Sequence, residues 1–392
     1  MGLFTLGIIG YLGENLTPYF INAISAGTGA DTVTASTATS VMLIATAAVG
    51  LLCGPLAASR HRRRLARVGL VTSVFGFATA ALSPALPVMF IAMAIAGIGA
   101  GGILATSGAA IAAFLNPDRV AGISGLVNSA VTAAVLAVVP LFGLVPVSVF
   151  GSIAAICALA LLVVRWLPES PVRVESVAAD LHALELELED RAPGRRAALA
   201  GVALLLLFPV WGLAEGSLWA MASQFTTDKL RMPESVAGIA FSVGEIAALI
   251  GAAALAVIGG RLGRARPLAI LMLISAGLKF AIGFTRDPLM FSVAFVAWDM
   301  VSAVAFLYFI AVAAGLDVSG RWSALMTASY MVGQAFSPVV GAAAVEAFGY
   351  DGFTIAIAVA GLVLVIPSVW IARISTQREQ AQDAMVRVTQ EQ

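Results

Sequence analysis

Polar breaks divide this chain into twelve apolar segments, each long enough to cross a bilayer. A membrane helix needs about 20 apolar residues to span the hydrocarbon core. The first six segments run roughly over 2–24, 36–58, 66–84, 87–114, 121–143 and 146–167. The second six run roughly over 199–224, 234–258, 267–285, 288–314, 322–346 and 352–373. Backbone groups in lipid must be satisfied internally, so such segments form helices or a closed barrel. Barrel strands would read as alternating stretches of roughly ten residues. The segments here are long, unbroken and apolar, which predicts an all-α membrane protein with twelve transmembrane helices. Composition adds one point: 11% of the 392 residues are charged, against about 25% in soluble domains. The deficit runs along the whole chain, so it reflects many crossings rather than one anchor.

Basic residues set the expected orientation, because they concentrate on cytoplasmic loops. With twelve crossings, eighteen of the 22 Lys and Arg residues fall on one side. They include Arg60, Arg62, Arg63, Arg64 and Arg67 after the second segment, and Arg261, Arg264 and Arg266 after the eighth. The other side has Lys229, Arg231 and Arg286, and Lys279 lies inside the ninth segment. The bias predicts both termini in the cytoplasm and a multi-pass protein of the inner membrane. The N-terminus has no basic region before its apolar run, and it reads as a first span rather than a cleaved signal peptide.

The two halves repeat. Glu14, in Tyr-Leu-Gly-Glu-Asn, and Glu215, in Gly-Leu-Ala-Glu-Gly, lie 201 residues apart, and the same offset relates Arg60 to Arg261. A carboxylate at bilayer depth costs roughly 3 kcal/mol or more, so a repeated one points to a polar site between duplicated halves. The expected organisation is a first bundle over 1–167, a cytoplasmic linker over 168–198, a second bundle over 199–374 and a tail over 375–392. Within the linker, Val177, Leu181, Leu184 and Leu188 share one helical face of an acidic segment. That segment either lies against the bundle ends or tethers them. Glycine, at 38 residues, suits close helix approach in lipid. Cys53 and Cys157 sit in apolar segments and read as small core residues. No metal, ATP loop or enzymatic constellation is expected, and with zero net charge no nucleic acid either.

Twelve spans in two sixes, joined by a cytoplasmic linker, resemble the major facilitator superfamily. That family carries Gly-x-Leu-Ala-Asp-Arg-x-Gly-Arg-Arg between spans two and three. The stretch from Gly54 through Leu56, Ala57, Arg60 and His61 to Arg62 and Arg63 is similar to it, with Ala58 at the acidic position. The second copy, Gly260-Arg261-Leu262-Gly263-Arg264, also lacks the acid. The resemblance implies gating or topology turns at Gly54, Arg60, Arg62, Arg63, Arg261, Gly263 and Arg264. Span four carries the run Gly97–Gly102, with Met93 where many drug antiporters of the family place an arginine. Exporters of the family often carry Pro and Gly in span five. Pro140 and Gly143 end that span here, and Pro338 and Gly341 repeat the spacing in span eleven, which predicts matched helix bends.

Four acids fall near mid-bilayer: Glu14, Glu215, Glu245 and Asp299. Spans one, four, seven and ten line the cavity in this family, so Glu14, Glu215 and Asp299 are expected to face it. Glu245 is expected to pack between helices. Such carboxyls bind either protons or a cationic substrate, or else pair with polar neighbours and hold helices together. Lys279 is expected to extend its stem toward the far interface, the alternative being a pairing with Asp299 or Glu245. Tyr11, Asn15, Asn128, Trp211, Trp219, Trp298, Tyr308, Tyr330 and Gln334 lie at similar depth and are candidate cavity residues. Aromatic faces beside carboxylates suit an organic cation or an amphipathic neutral molecule. The expected function is secondary active transport of a small molecule, coupled to protons and working as a monomer. Export of a hydrophobic or cationic compound is the first reading and uptake of a small metabolite the second. A transporter-like receptor or scaffold is the third.

Overall fold

A computed structural model of the chain describes residues 2–111, 117–167, 195–258, 263–316 and 321–390. Every regular element among them is helical. The expected linker helix and Arg261 lie outside these residues. Among the described residues ten helices are long and apolar enough to cross a membrane. Two crossings add to that number. The first span is two helices, Gly2–Asn15 and Thr17–Thr28, each too short on its own. The last long element, Arg321–Gln390, holds spans eleven and twelve, separated by a non-helical turn at Gly349 with φ of 67°. The total is the expected twelve.

Boundaries differ from expectation mainly at the ends. Span two is Thr32–Leu52, followed by the short helix Gly54–Ala58 in the basic turn. Span three starts at Arg62 and runs to Leu82. Span four is Leu86–Ile111, span five Pro117–Val138 and span six Pro146–Val163. In the second half, span seven is Arg195–Gln224, span eight Glu234–Ile258, span nine Ala265–Phe284 and span ten Pro288–Leu316. Span two begins on an Asp31 cap that accepts the Thr34 amide at 2.7 Å, and span seven ends in a π turn over Phe225–Lys229.

Proline breaks this helical pattern, and hydroxyl groups repair the damage. A proline cannot donate to the carbonyl four residues back, and in lipid that carbonyl needs another partner. Pro140 frees the carbonyl of Leu136, which accepts the Tyr19 hydroxyl at 2.7 Å. Pro209 frees that of Leu205, which accepts from Ser329 at 2.7 Å. Pro338 frees that of Gln334, which accepts from Ser337 at 2.9 Å. The matched bends predicted for spans five and eleven are not alike. Span five tightens into a 3-10 turn, Val139–Phe142, and ends at Gly143 with φ of 79°. Gly341 stays helical and lets span eleven approach span seven, where a Cβ would sit 3.2 Å from the Ser217 carbonyl oxygen.

Helix pairings recur between the halves. Spans two and three pack on four, as eight and nine pack on ten, and span three packs on six as nine does on twelve. The Gly97–Gly102 run is what lets four meet its neighbours. A Cβ on Gly97 would strike the Met42 carbonyl, and one on Gly101 would lie 2.5 Å from that of Thr46. The halves meet through spans one and seven, two and eleven, and five and eight. One core cluster takes in the first half and the far end of the second, including Leu218, Phe225, Phe241 and Phe291. A separate cluster at the basic-turn end, including Phe208, Phe309 and Leu316, belongs to the second half alone. The halves therefore share a core away from the basic turns.

Candidate functional site

Span one breaks beside its glutamate. Leu16 leaves helical geometry at φ −102°, ψ 12°, Pro18 has no amide to give, and the Thr17 hydroxyl caps the Gly13 carbonyl at 3.1 Å. Glu14, half-buried, lies in the last turn before this break. Broken helices at midplane depth are a common place for polar binding groups in membrane proteins. Asn15, on the next face, is turned outward from the axis: its amide donates to Thr132 of span five at 2.8 Å.

Three acids converge from both halves. Glu245 of span eight lies within charge-interaction range of Glu14 and of Asp299 on span ten. Ser129 of span five lies beside Glu245. Asp299 faces the seam with span eight, where a Cβ on Gly244 would come 2.8 Å from its Oδ2. That oxygen is buried with no hydrogen-bond partner, and so is Oδ1 of Asn128. Glu245, expected to pack between helices, does so beside Ser129 of span five, and from there it lies within charge range of both other acids. The reason is the cross-half contact of spans five and eight, which no local sequence signal reveals.

Glu215 is built differently. Its Oε1 accepts Lys279 Nζ at 2.6 Å, and its Oε2 accepts Trp298 Nε1 at 2.7 Å and Ser302 Oγ at 3.1 Å. Lys279 is 1% and Glu215 6% exposed, so the pair is dry. The expected extension of Lys279 toward the interface is corrected, and its partner is neither Asp299 nor Glu245. Packing shuts the ammonium off from water, and the Glu215 carboxylate, 64 positions away in sequence, supplies the counter-charge that a buried ion needs. Tyr330 of span eleven lies near Glu14, Glu215 and Asp299 and accepts a hydrogen bond from the Gln334 amide.

The remaining aromatic candidates are packed rather than open. Trp211 stacks on Phe208 with centroids 5.4 Å apart and planes 4° from parallel, and Tyr308 joins the same cluster. Trp219, half-buried, stacks on Phe295 at 6.0 Å. Tyr11 and Asn128 are half-buried on spans one and five. In the basic turn, Arg60 is exposed, while Arg62 is buried and donates from Nε to the Ala57 carbonyl at 2.7 Å. Arg63 donates to the Leu167 carbonyl, and Arg264 to Ser375 at 2.9 Å. Gly54 starts the short helix, and Gly263 adopts φ of 67°.

Four hydrogen bonds join the halves at the end away from these turns. Asn22 donates to Ser223 at 2.7 Å and accepts from Gln224 at 2.6 Å. Ser40 accepts the Val339 amide at 3.2 Å, and Glu234 accepts that of Leu144 at 3.0 Å. Asn22 and Ser223 are themselves 201 residues apart, so the repeat partners meet across the pseudo-two-fold axis.

The sequence profile of the Major Facilitator Superfamily matches residues 3–315. No curated protein matches the chain in sequence. Solved structures are similar in fold. The xylose transporter XylE from E. coli, in a partially occluded inward open conformation, superposes with a TM-score of 0.69 at 15% identity, over 93% of this chain and 95% of its own. The peptide transporter POT in complex with sulfate gives 0.69 at 17% identity, over 96% and 95%. The nucleoside transporter NupG gives 0.69 at 17% identity, over 94% and 96%.

Proposed function

This chain belongs to the Major Facilitator Superfamily, and on that premise we propose that it is a proton-coupled exporter of a hydrophobic or cationic organic compound. The observation that carries the reading is the meeting of Glu14, Glu245 and Asp299, drawn from both halves. Lys279, the one base deep in a span, is held by Glu215. Among the described residues no base is paired with these three acids, and a proton or a cation in their midst would balance them. A site that takes one or the other, but not both, exchanges them across the membrane.

Alternating access is the motion that serves this exchange. The halves are joined at the end away from the basic turns, and the positive-inside bias puts that end outside the cell. The arrangement corresponds to a state closed outward. The Pro140 bend of span five, common in exporters of the family, supports the outward direction of transport.

Reconstituted in liposomes with ethidium as the probe cation, the wild type is expected to drive accumulation from a pH gradient. Glu14→Gln and Asp299→Asn should abolish the pH-driven part and keep some exchange. Unchanged coupling in both variants would remove the acids from the mechanism. Direction is read in cells: expression that confers resistance to lipophilic cations supports export, and hypersensitivity would point to uptake.

A further inference from the structure

We propose that Lys279 is a positioning residue. It holds Glu215 so that Glu215 fixes Trp298, and through Trp298 the orientation of Asp299. The second glutamate of the repeat thereby serves as an anchor, apart from the coupling acids. The coupling half of this statement rests on the proposed function; the anchoring half does not.

Geometry carries the argument. Glu215 Oε2 receives Trp298 and Ser302, which stand one helical turn apart on span ten. One carboxylate oxygen therefore pins two successive turns, and Asp299 lies between them in sequence. With those turns fixed, Asp299 can only face span eight, where Gly244 leaves room for its carboxylate. Lys279 enters from span nine and donates to Oε1. Gly361 of span twelve faces the ammonium, where a Cβ would lie in ordinary contact at 3.7 Å from Nζ. Without the lysine, Glu215 would be a buried charge with no counter-ion, which proteins tolerate poorly.

The repeat gives an independent line. At the 201-residue offset, Lys279 corresponds to Ala78, Trp298 to Gly97, Asp299 to Ile98 and Ser302 to Gly101. The whole anchoring set exists in the second half and is absent from the first. Glu14 keeps none of these partners, and the glycines at 97 and 101 are instead spent on packing against span two. Two copies of one glutamate have thus diverged, one left among acids and one tied down.

The test reads Trp298 directly in purified protein, as the near-ultraviolet circular dichroism difference between each background and its Trp298→Phe partner. Lys279→Met should lose most of that difference signal and lower the melting temperature. Should Lys279→Met fail to fold, the neutral pair Glu215→Gln with Lys279→Met serves, because glutamine still accepts the indole N–H. The neutral pair should keep the Trp298 signal. The exchanged pair, Glu215→Lys with Lys279→Glu, should recover melting temperature but not the signal, since lysine cannot accept from the indole. A Trp298 signal unchanged in Lys279→Met, lost in the neutral pair or retained in the exchanged pair would overturn the anchor. In ethidium-loaded liposomes the neutral pair should retain pH-driven transport that Glu14→Gln loses. Loss of drive in the neutral pair with an intact Trp298 signal would overturn its separation from coupling. A wild type that moves no cation would instead count against the proposed function alone.

Discussion

Glu14 and Glu215 are the same residue in the same place of a repeat, and their neighbours make them different. Glu215 has three donors within 3.1 Å, one of them its counter-ion; Glu14 has Glu245 in range and no base paired with it among the described residues. Removing Lys279 alone should therefore cost about 3–5 kcal/mol, the usual result of orphaning one member of a buried pair. A chemical-unfolding comparison of Lys279→Met with the neutral pair checks this, and equal stabilities would contradict it. The carboxylates were legible in the sequence because a charge in an apolar run stands out. Their partnerships were not. Lys279 and Ser129 come from other spans, and a helix brought alongside by tertiary packing leaves no mark at fixed spacing. Hydroxyl partners such as Ser302 and Thr132 are short and common in membrane helices, so nothing singles them out beforehand.

Elements were read well in number and less well in shape. Segment length is set by bilayer thickness, which is why twelve crossings followed from hydropathy. Breaks depend on which backbone groups find partners. The sequence shows Pro140 and Pro338 as equals, yet one ends a helix and the other is absorbed by Ser337. Tyr19 serves as the cap for the Leu136 carbonyl, a role its own sequence neighbours do not mark. Tyr19→Phe should cost about 0.6 kcal/mol, the average for such bonds in membranes, measured by unfolding in bicelles. Gly97→Val should do far more harm, because its Cβ branch meets a backbone carbonyl of span two, and should yield little folded protein on size-exclusion chromatography. The Asp31 cap lies outside the spans, and the Thr34 hydrogen bonds hold its carboxyl below the ordinary carboxylate range. Its contribution is present above the unfolded-state value of about 4 and is lost as pH falls. Protection of the Thr34 amide from hydrogen exchange should fall with it.

At the scale of the whole molecule, the two halves share a core at one end, while at the other the second half has a cluster of its own. The Asn22–Ser223 contact on the pseudo-axis belongs to that closed end. Asn22→Ala should shift the population toward opening there, raising thiol labelling of a cysteine placed at Ser40 relative to the parent. Labelling that does not change would mean the contact does not hold the halves. The sequence predicts the repeat and hence the axis, but which end is closed is a property of packing between halves. The account's central claim is that Glu14, Glu245 and Asp299 couple protons to transport. Its most direct test is pH-gradient-driven ethidium movement in proteoliposomes for Glu14→Gln, Glu245→Gln and Asp299→Asn beside the wild type. The account predicts coupled transport by the wild type and its loss in all three variants; coupled transport persisting at wild-type rates in all three would contradict it.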